Sequence, residues 1–196
     1  ALEQPLAAIE ALKRCIARAR KDTLPRFYLG KLFFRLEMLD DALAASALPQ
    51  RTRTTHKGDV GHVLICGGSA GKNGAVLLGA RAALRCGAGL VTMAVPQRLA
   101  ATANSSLWEA MTIALADDGS GNVGLGAWAA IERDAARYCS AAVGPGLGTG
   151  EGAIELVERF VESFPGRLVL DADALNAIAR TRTTAEKLRA RCRGGR

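Results

Sequence analysis

Residues 56–96 read HKGDVGHVLICGGSAGKNGAVLLGARAALRCGAGLVTMAVP, and no other stretch restricts the fold of this chain as strongly. An apolar run at 63–66 passes directly into Gly67, Gly68, Gly71 and Gly74, a small-residue helical segment follows, and a second apolar run begins near residue 89. Parallel strands need a crossover long enough to hold a helix, so this order predicts a βαβ unit. The rhythm then repeats. Strands are predicted at 62–66, 89–95, 139–143 and 167–171, with helices at 74–86, 97–104, 125–137 and 150–163. The segment WEAMTI at 108–113 fits a strand or the entry to one. Gly87, after Arg85 and Cys86, stands where a helix C-terminal glycine belongs, and Asn73 and Thr149 are candidate caps for the helices that follow them.

A chain of 196 residues can bury one sizeable core and carry an appendage. Leu6, Ile9, Leu12 and Ile16 recur at helical spacing, Pro25 ends that pattern, and residues 24–39 concentrate aromatic side chains. Residues 46–55, SALPQRTRTT, have linker composition, which places a boundary between 55 and 56. No stretch reaches the roughly eighteen apolar residues of a membrane span, and the first residues lack the pattern of a secretory signal, so a cytoplasmic setting with no membrane partner is expected. The five cysteines are scattered and form no CxxC pair, and they are expected to be reduced and mostly buried. The net charge of +7 is concentrated at the ends: residues 1–57 carry +5, residues 58–179 carry −4 and residues 180–196 carry +6. The basic C-terminal run contains no aromatic residue, which argues against a nucleic-acid partner.

Ligands of open parallel sheets collect beyond the carboxyl ends of the strands, and three such places stand out. In GGSAGKNGA, residues 67–75, only three residues separate Gly67 from Gly71-Lys72 and no Ser or Thr follows, so the phosphate-loop pattern of nucleoside triphosphatases fails. The dinucleotide fingerprint GxGxxG fails as well. Four glycines within eight residues still exceed what a tight turn requires, and they leave the backbone open to a ligand before the positive end of a helix. In AVGPGLGTGEG, residues 142–152, Gly144, Gly146, Gly148 and Gly150 alternate, with Pro145 stiffening the run. In LVLDADALNAIA, residues 168–179, Asp171 ends a strand, where it suits either a ligand or metal-bound water or a structural hydrogen bond to a nearby loop. Asp173 is read as a helix cap. His56 precedes the first strand, away from these loops, and is assigned a structural role.

The motifs HKGD, GG with GKNGA, ARAALRCGAGLVT, WEAMT, VGPGLG and LVLDADALN occur in this order, and over about residues 56–179 the chain resembles the NAD(P)H-hydrate dehydratases. The resemblance implies an α/β fold, a three-layer ribokinase-like sandwich with a mostly parallel central sheet. It also implies a cofactor-repair lyase that dehydrates the S epimer of hydrated NADH or NADPH at the expense of ADP or ATP, with Mg2+ accompanying the nucleotide. Carried over by position, Ala75, Gly148, Gly74, Gly146 and Asp171 would bind the hydrated dinucleotide. Gly67, Gly68, Lys72 and Gly144 would line the nucleotide side, with Lys57 a second candidate for phosphate and no residue acting as a metal ligand. The family's Pro-His-Pro-Gly-Glu, lysine-glycine and Gly-Thr-Gly-Asp motifs do not follow DADALN here. The catalytic aspartate is therefore expected outside this chain, the sheet incomplete at its C-terminal end, and turnover by the chain alone absent. Residues 33–49 resemble the join to an upstream epimerase, so residues 1–55 are expected to be a remnant of that domain and residues 56–196 the first part of the dehydratase domain. The full-length protein is expected to be a homo-oligomer. A ribokinase-like vitamin kinase and an inactive nucleotide-binding module are the alternative functions. Limited proteolysis is expected to cut first within residues 1–55; strong protection of that segment would overturn the reading of it.

Overall fold

The computed structural model describes residues 56–193. The chain divides into two units, 1–55 and 56–196, and the described residues all belong to the second. The helix, aromatic segment and linker expected within residues 1–55, together with Cys15, lie outside the described residues.

Five strands form one sheet: β1 (His62–Cys66), β2 (Leu90–Pro96), β3 (Met111–Leu115), β4 (Ser140–Val143) and β5 (Arg167–Leu170). Their order is β3-β2-β1-β4-β5 and every pairing is parallel. Six helices are described: α1 (Asn73–Arg85), α2 (Gln97–Ser106), α3 (Ala129–Glu132), α4 (Glu151–Ser163), α5 (Asp173–Arg180) and α6 (Arg182–Arg193). The alternation of side chains along a strand gives each face its own core. Ile65, Val91, Met93 and Val95 pack with Val76 and Ala80 of α1 and Ala103 of α2. On the opposite face Leu64, Cys66, Leu115 and Val143 pack with Leu156 and Phe160 of α4 and Ala174 and Ile178 of α5. Helices on both faces make three layers. This burial explains why the inner strands read as mostly apolar runs while the edge strand β5 leaves Arg167 and Val169 exposed.

Several local expectations are corrected. The helix foreseen at 125–137 is broken, because Gly126 has φ +74 and its N–H is held by the Glu155 carboxylate, so only α3 and a 3-10 turn at Ala135–Arg137 form. Within WEAMTI the strand begins at Met111, and Trp108 stands 85% exposed in the preceding turn. Neither Asn73 nor Thr149 caps a helix, since the cap positions fall on Lys72 and Gly150 and carry no side-chain cap bond. Gly87 does close α1: its φ is +96, its N–H binds Leu84 O at 3.0 Å, and the Ala88 N–H binds Ala83 O at 3.0 Å. Of the four described cysteines only Cys66 is buried, and burial pushes its thiol well above the ordinary value; Cys86, Cys139 and Cys192 are exposed, at a helix end, ahead of β4 and on α6.

The strand order changes direction between β1 and β4. From β1 the chain steps outward through β2 to β3; from β4 it steps the other way to β5. A crevice therefore opens beyond the carboxyl ends of β1 and β4, where the two helix connections leave opposite faces of the sheet.

At the other end of the sheet, His62 Nε2 lies 2.8 Å from Thr92 Oγ1 and its ring meets Tyr138 edge-on at 4.6 Å. Burial and then the positive charge of Arg137 hold the His62 pKa below its ordinary 6.5. The folded state thus binds fewer protons than the unfolded chain, and stability falls as pH drops through 6.5 toward the folded-state value. The decrease in melting temperature between pH 7.5 and pH 5 is expected to be smaller in His62→Gln than in the wild type. An unchanged decrease would show that His62 contributes nothing to it.

Candidate functional site

The two glycine loops at the crevice are bonded to each other. The Gly68 N–H donates to Pro145 O at 2.9 Å and the Gly144 N–H to Cys66 O at 3.0 Å, while the Gly67 N–H reaches Ala94 O at the end of β2 at 3.1 Å. Close packing of this kind consumes part of the glycine content. A Cβ on Gly67 would stand 2.3 Å from Pro145 O, one on Gly146 would stand 2.8 Å from Lys72 O, and one on Gly144 would stand 1.9 Å from Asp171 O, where φ is also +119. Gly68, with φ +78, backs onto Val76 and the Asn73 side chain. Gly71, Gly74 and Gly150 have nothing within 4 Å of a built Cβ, and Gly148 has only Ser69, at 3.9 Å. The loop glycines thus fall into two sets, one holding loop against loop and one facing open space.

Three helices begin beside this space: α1 at Asn73, α4 at Glu151 and α5 at Asp173. Their N-terminal ends carry partial positive charge. Ala75, in the first turn of α1, is half-buried and donates its N–H to Lys72 O at 3.2 Å. Asn73 is also here, and its side-chain Oδ1 and Nδ2 are buried without a hydrogen-bond partner. An unsatisfied buried amide is costly and marks a place that a ligand or an ordered water would stabilise.

The two aspartates after β5 divide their work differently from the sequence expectation. Asp171 is exposed and contributes its backbone, taking Val143 O with its N–H at 3.0 Å and accepting the Ala174 N–H at 3.0 Å. Asp173 does not cap α5: the cap position is Ala172, with φ 46 and no side-chain cap bond. The Asp173 carboxylate instead accepts the Gly148 N–H at 2.9 Å and the Asn176 Nδ2–H at 3.3 Å, and it lies 3.8 Å from Lys72 Nζ. Asp173 therefore joins the second glycine loop to the first, a role the sequence reading missed. The available signal was the DAD triplet at a strand-to-helix junction, but only the register of α5, fixed by buried Ala174, Ala177 and Ile178, decides which carboxylate faces the loops.

A turn at 117–122 stands against the first loop, with Gly121 packed on Ala70. Asp118 receives hydrogen bonds from the Ser120 hydroxyl and N–H and from Asn122, which hold its carboxyl well below the usual range. Beside it an open cavity of about 410 Å³ is lined by Asp117, Asp118, Gly124, Leu125, Glu151 and Gly152. His56, as expected, is structural: with Asp59 it forms a capping box on the turn at Lys57–Val60. Among the described residues no group of three or more His, Cys, Asp or Glu side chains converges as a metal-binding set. No described helix is long and apolar enough to cross a membrane.

A family model described as NAD(P)H-hydrate dehydratase matches residues 63–191. The bifunctional NAD(P)H-hydrate repair enzyme of Moorella thermoacetica is 36% identical over 156 residues, covering 80% of this chain and 29% of that protein. The ADP-dependent (S)-NAD(P)H-hydrate dehydratase of Streptococcus pneumoniae is 30% identical over 148 residues, covering 74% of this chain and 48% of that protein. The chain thus spans less than half the length of either relative. Among solved structures, an ADP/ATP-dependent NAD(P)H-hydrate dehydratase of Bacillus subtilis co-crystallised with ATP and Mg2+ is similar, with a TM-score of 0.51 and 28% identity over 65% of this chain and 43% of that one.

The two sets of glycines should respond differently to a methyl group. Gly144→Ala is expected to lose about 3 kcal/mol of folding stability through its clash and its backbone strain, whereas Gly74→Ala, at an open helical position, should be neutral or slightly stabilising. Urea denaturation of both variants checks this; equal losses would contradict the division.

Proposed function

The chain belongs to the NAD(P)H-hydrate dehydratase family, and on that premise we propose that the crevice between loops 67–75 and 144–150 binds the S epimer of hydrated NADH or NADPH for an adenine-nucleotide-dependent dehydration. One observation carries the proposal: two glycine loops bonded to each other at the point where the strand order reverses, with Gly71, Gly74 and Gly148 left open beside helix N-termini. Backbone amides and helix ends suit the phosphates of a dinucleotide, and the absence of side chains lets it approach the main chain. In this reading Ala75, Gly74 and Gly148 touch the hydrated dinucleotide. Gly67, Gly68, Gly144 and Gly146 shape the wall behind it, Asp171 lies at its margin, and Lys72 meets phosphate.

In the reaction the hydrate's hydroxyl oxygen takes the terminal phosphoryl group of ADP or ATP, releasing AMP or ADP. The new phosphate ester then leaves as inorganic phosphate as a neighbouring carbon loses its proton, which restores the ring double bond. The described residues contribute binding, orientation and exclusion of water, and we assign no catalytic base among them. They also offer no protein cage for Mg2+; the ion normally binds through nucleotide phosphates with few protein ligands. The same reading makes the enzyme cytoplasmic, makes residues 1–55 the remnant of an upstream epimerase domain, and makes the full-length protein a homo-oligomer.

Calorimetric titration of the chain with NADPH, a stable stand-in for the hydrate, is expected to show binding that Gly74→Leu abolishes without lowering the melting temperature. Equal NADPH affinity in Gly74→Leu would overturn the placement of the substrate.

A further inference from the structure

We infer that Asp173 is a positioning residue of this crevice, fixing the Gly148 loop through its amide and holding the Lys72 ammonium beside that loop, where the ammonium meets an anionic part of the ligand. The inference rests on the reading that the crevice takes a phosphate-bearing nicotinamide dinucleotide. Three elements meet at this one carboxylate. Its Oδ2 accepts the Gly148 N–H at 2.9 Å and stands 3.8 Å from Lys72 Nζ, while its Oδ1 accepts from Asn176 at 3.3 Å. Gly148 lies 25 residues away in sequence, so the contact reaches well beyond the helix that carries Asp173. The backbone immediately before it is strained: Ala172, the sole non-glycine residue at positive φ among those described, has φ 46 and ψ −114. Such strain persists only where its surroundings hold it in place, and its location beside the crevice favours a functional origin. A stabilising role through the ion pair is a weak alternative, because the Lys72 side chain is 58% exposed and exposed pairs contribute little.

Two substitutions separate the contacts. Asp173→Asn keeps an acceptor for the Gly148 N–H and removes the ion pair; Asp173→Ala removes both. In the ligand-free protein, hydrogen exchange at the Gly148 amide is expected to be unchanged in Asp173→Asn and faster by about tenfold or more in Asp173→Ala. In NADPH titrations Lys72→Met should cost about tenfold in affinity in the wild-type background and less than about threefold in the Asp173→Asn background. That coupling is a readout that a purely structural aspartate would not move, and it uses only the conservative variant if Asp173→Ala fails to fold. An equal effect of Lys72→Met in both backgrounds overturns the inference, as does Gly148 exchange indifferent to Asp173→Ala, while NADPH binding by the wild type leaves the site reading intact. If the wild-type chain does not bind NADPH, the site reading falls and takes the inference with it.

Discussion

Two backbone hydrogen bonds, Gly68 N–H to Pro145 O and Gly144 N–H to Cys66 O, carry the pairing of β1 and β4 past the end of the sheet and set the geometry of everything beyond it. They bring loop 67–75 and loop 144–150 within van der Waals distance, which is possible only because Gly67 and Gly146 have no side chains to separate them, while Gly144 makes room for Asp171 and Ala174 at the start of α5. The helices after these loops are aimed by this contact. Since α1 leaves toward one face and α4 toward the other, a gap remains between them, and it is walled by main chain instead of side chains.

This arrangement explains why glycine density alone is an ambiguous signal. Half of the loop glycines serve tight packing and would be required in a protein that bound nothing there. Of the others, Gly71, Gly74 and Gly150 are not demanded by any neighbouring atom. At Gly74 and Gly150 a larger residue would fit the fold and fill the crevice, whereas at Gly71 the φ of +78 itself calls for glycine. Open glycines beside an unsatisfied buried amide at Asn73 are therefore the more telling observation than the glycine runs taken as a whole.

Much of the fold was legible in the sequence because its inner strands are covered on both faces. Burial on both sides makes β1 and β2 largely apolar, with buried Thr92 the exception within β2, and the predicted ends lie within one residue of the observed ones. Features set by distant partners were not legible. The break in the helix expected at 125–137 depends on Glu155, which holds Gly126 from another helix. The choice between Asp171 and Asp173 depends on the register of α5 against the core, and no local pattern contains that information. The helix starts at 74 and 150 came within one residue of those observed, but the caps expected at Asn73 and Thr149 failed, because the cap positions fall on Lys72 and Gly150. The motif order identified the family from short pieces whose separate meanings were weak.

The strand order has a consequence in time as well as in space. Cys66 and Gly144 are far apart along the chain, and the region between them includes two further strands, β2 and β3. A nascent chain can assemble β1, β2 and β3 through local crossovers while the crevice still has one wall. Closing it requires a long excursion to return, a step that loop-closure entropy slows. The crevice is thus expected to be among the last parts of the molecule to form. A ligand that recognises both walls would select the finished structure and leave the half-built one untouched.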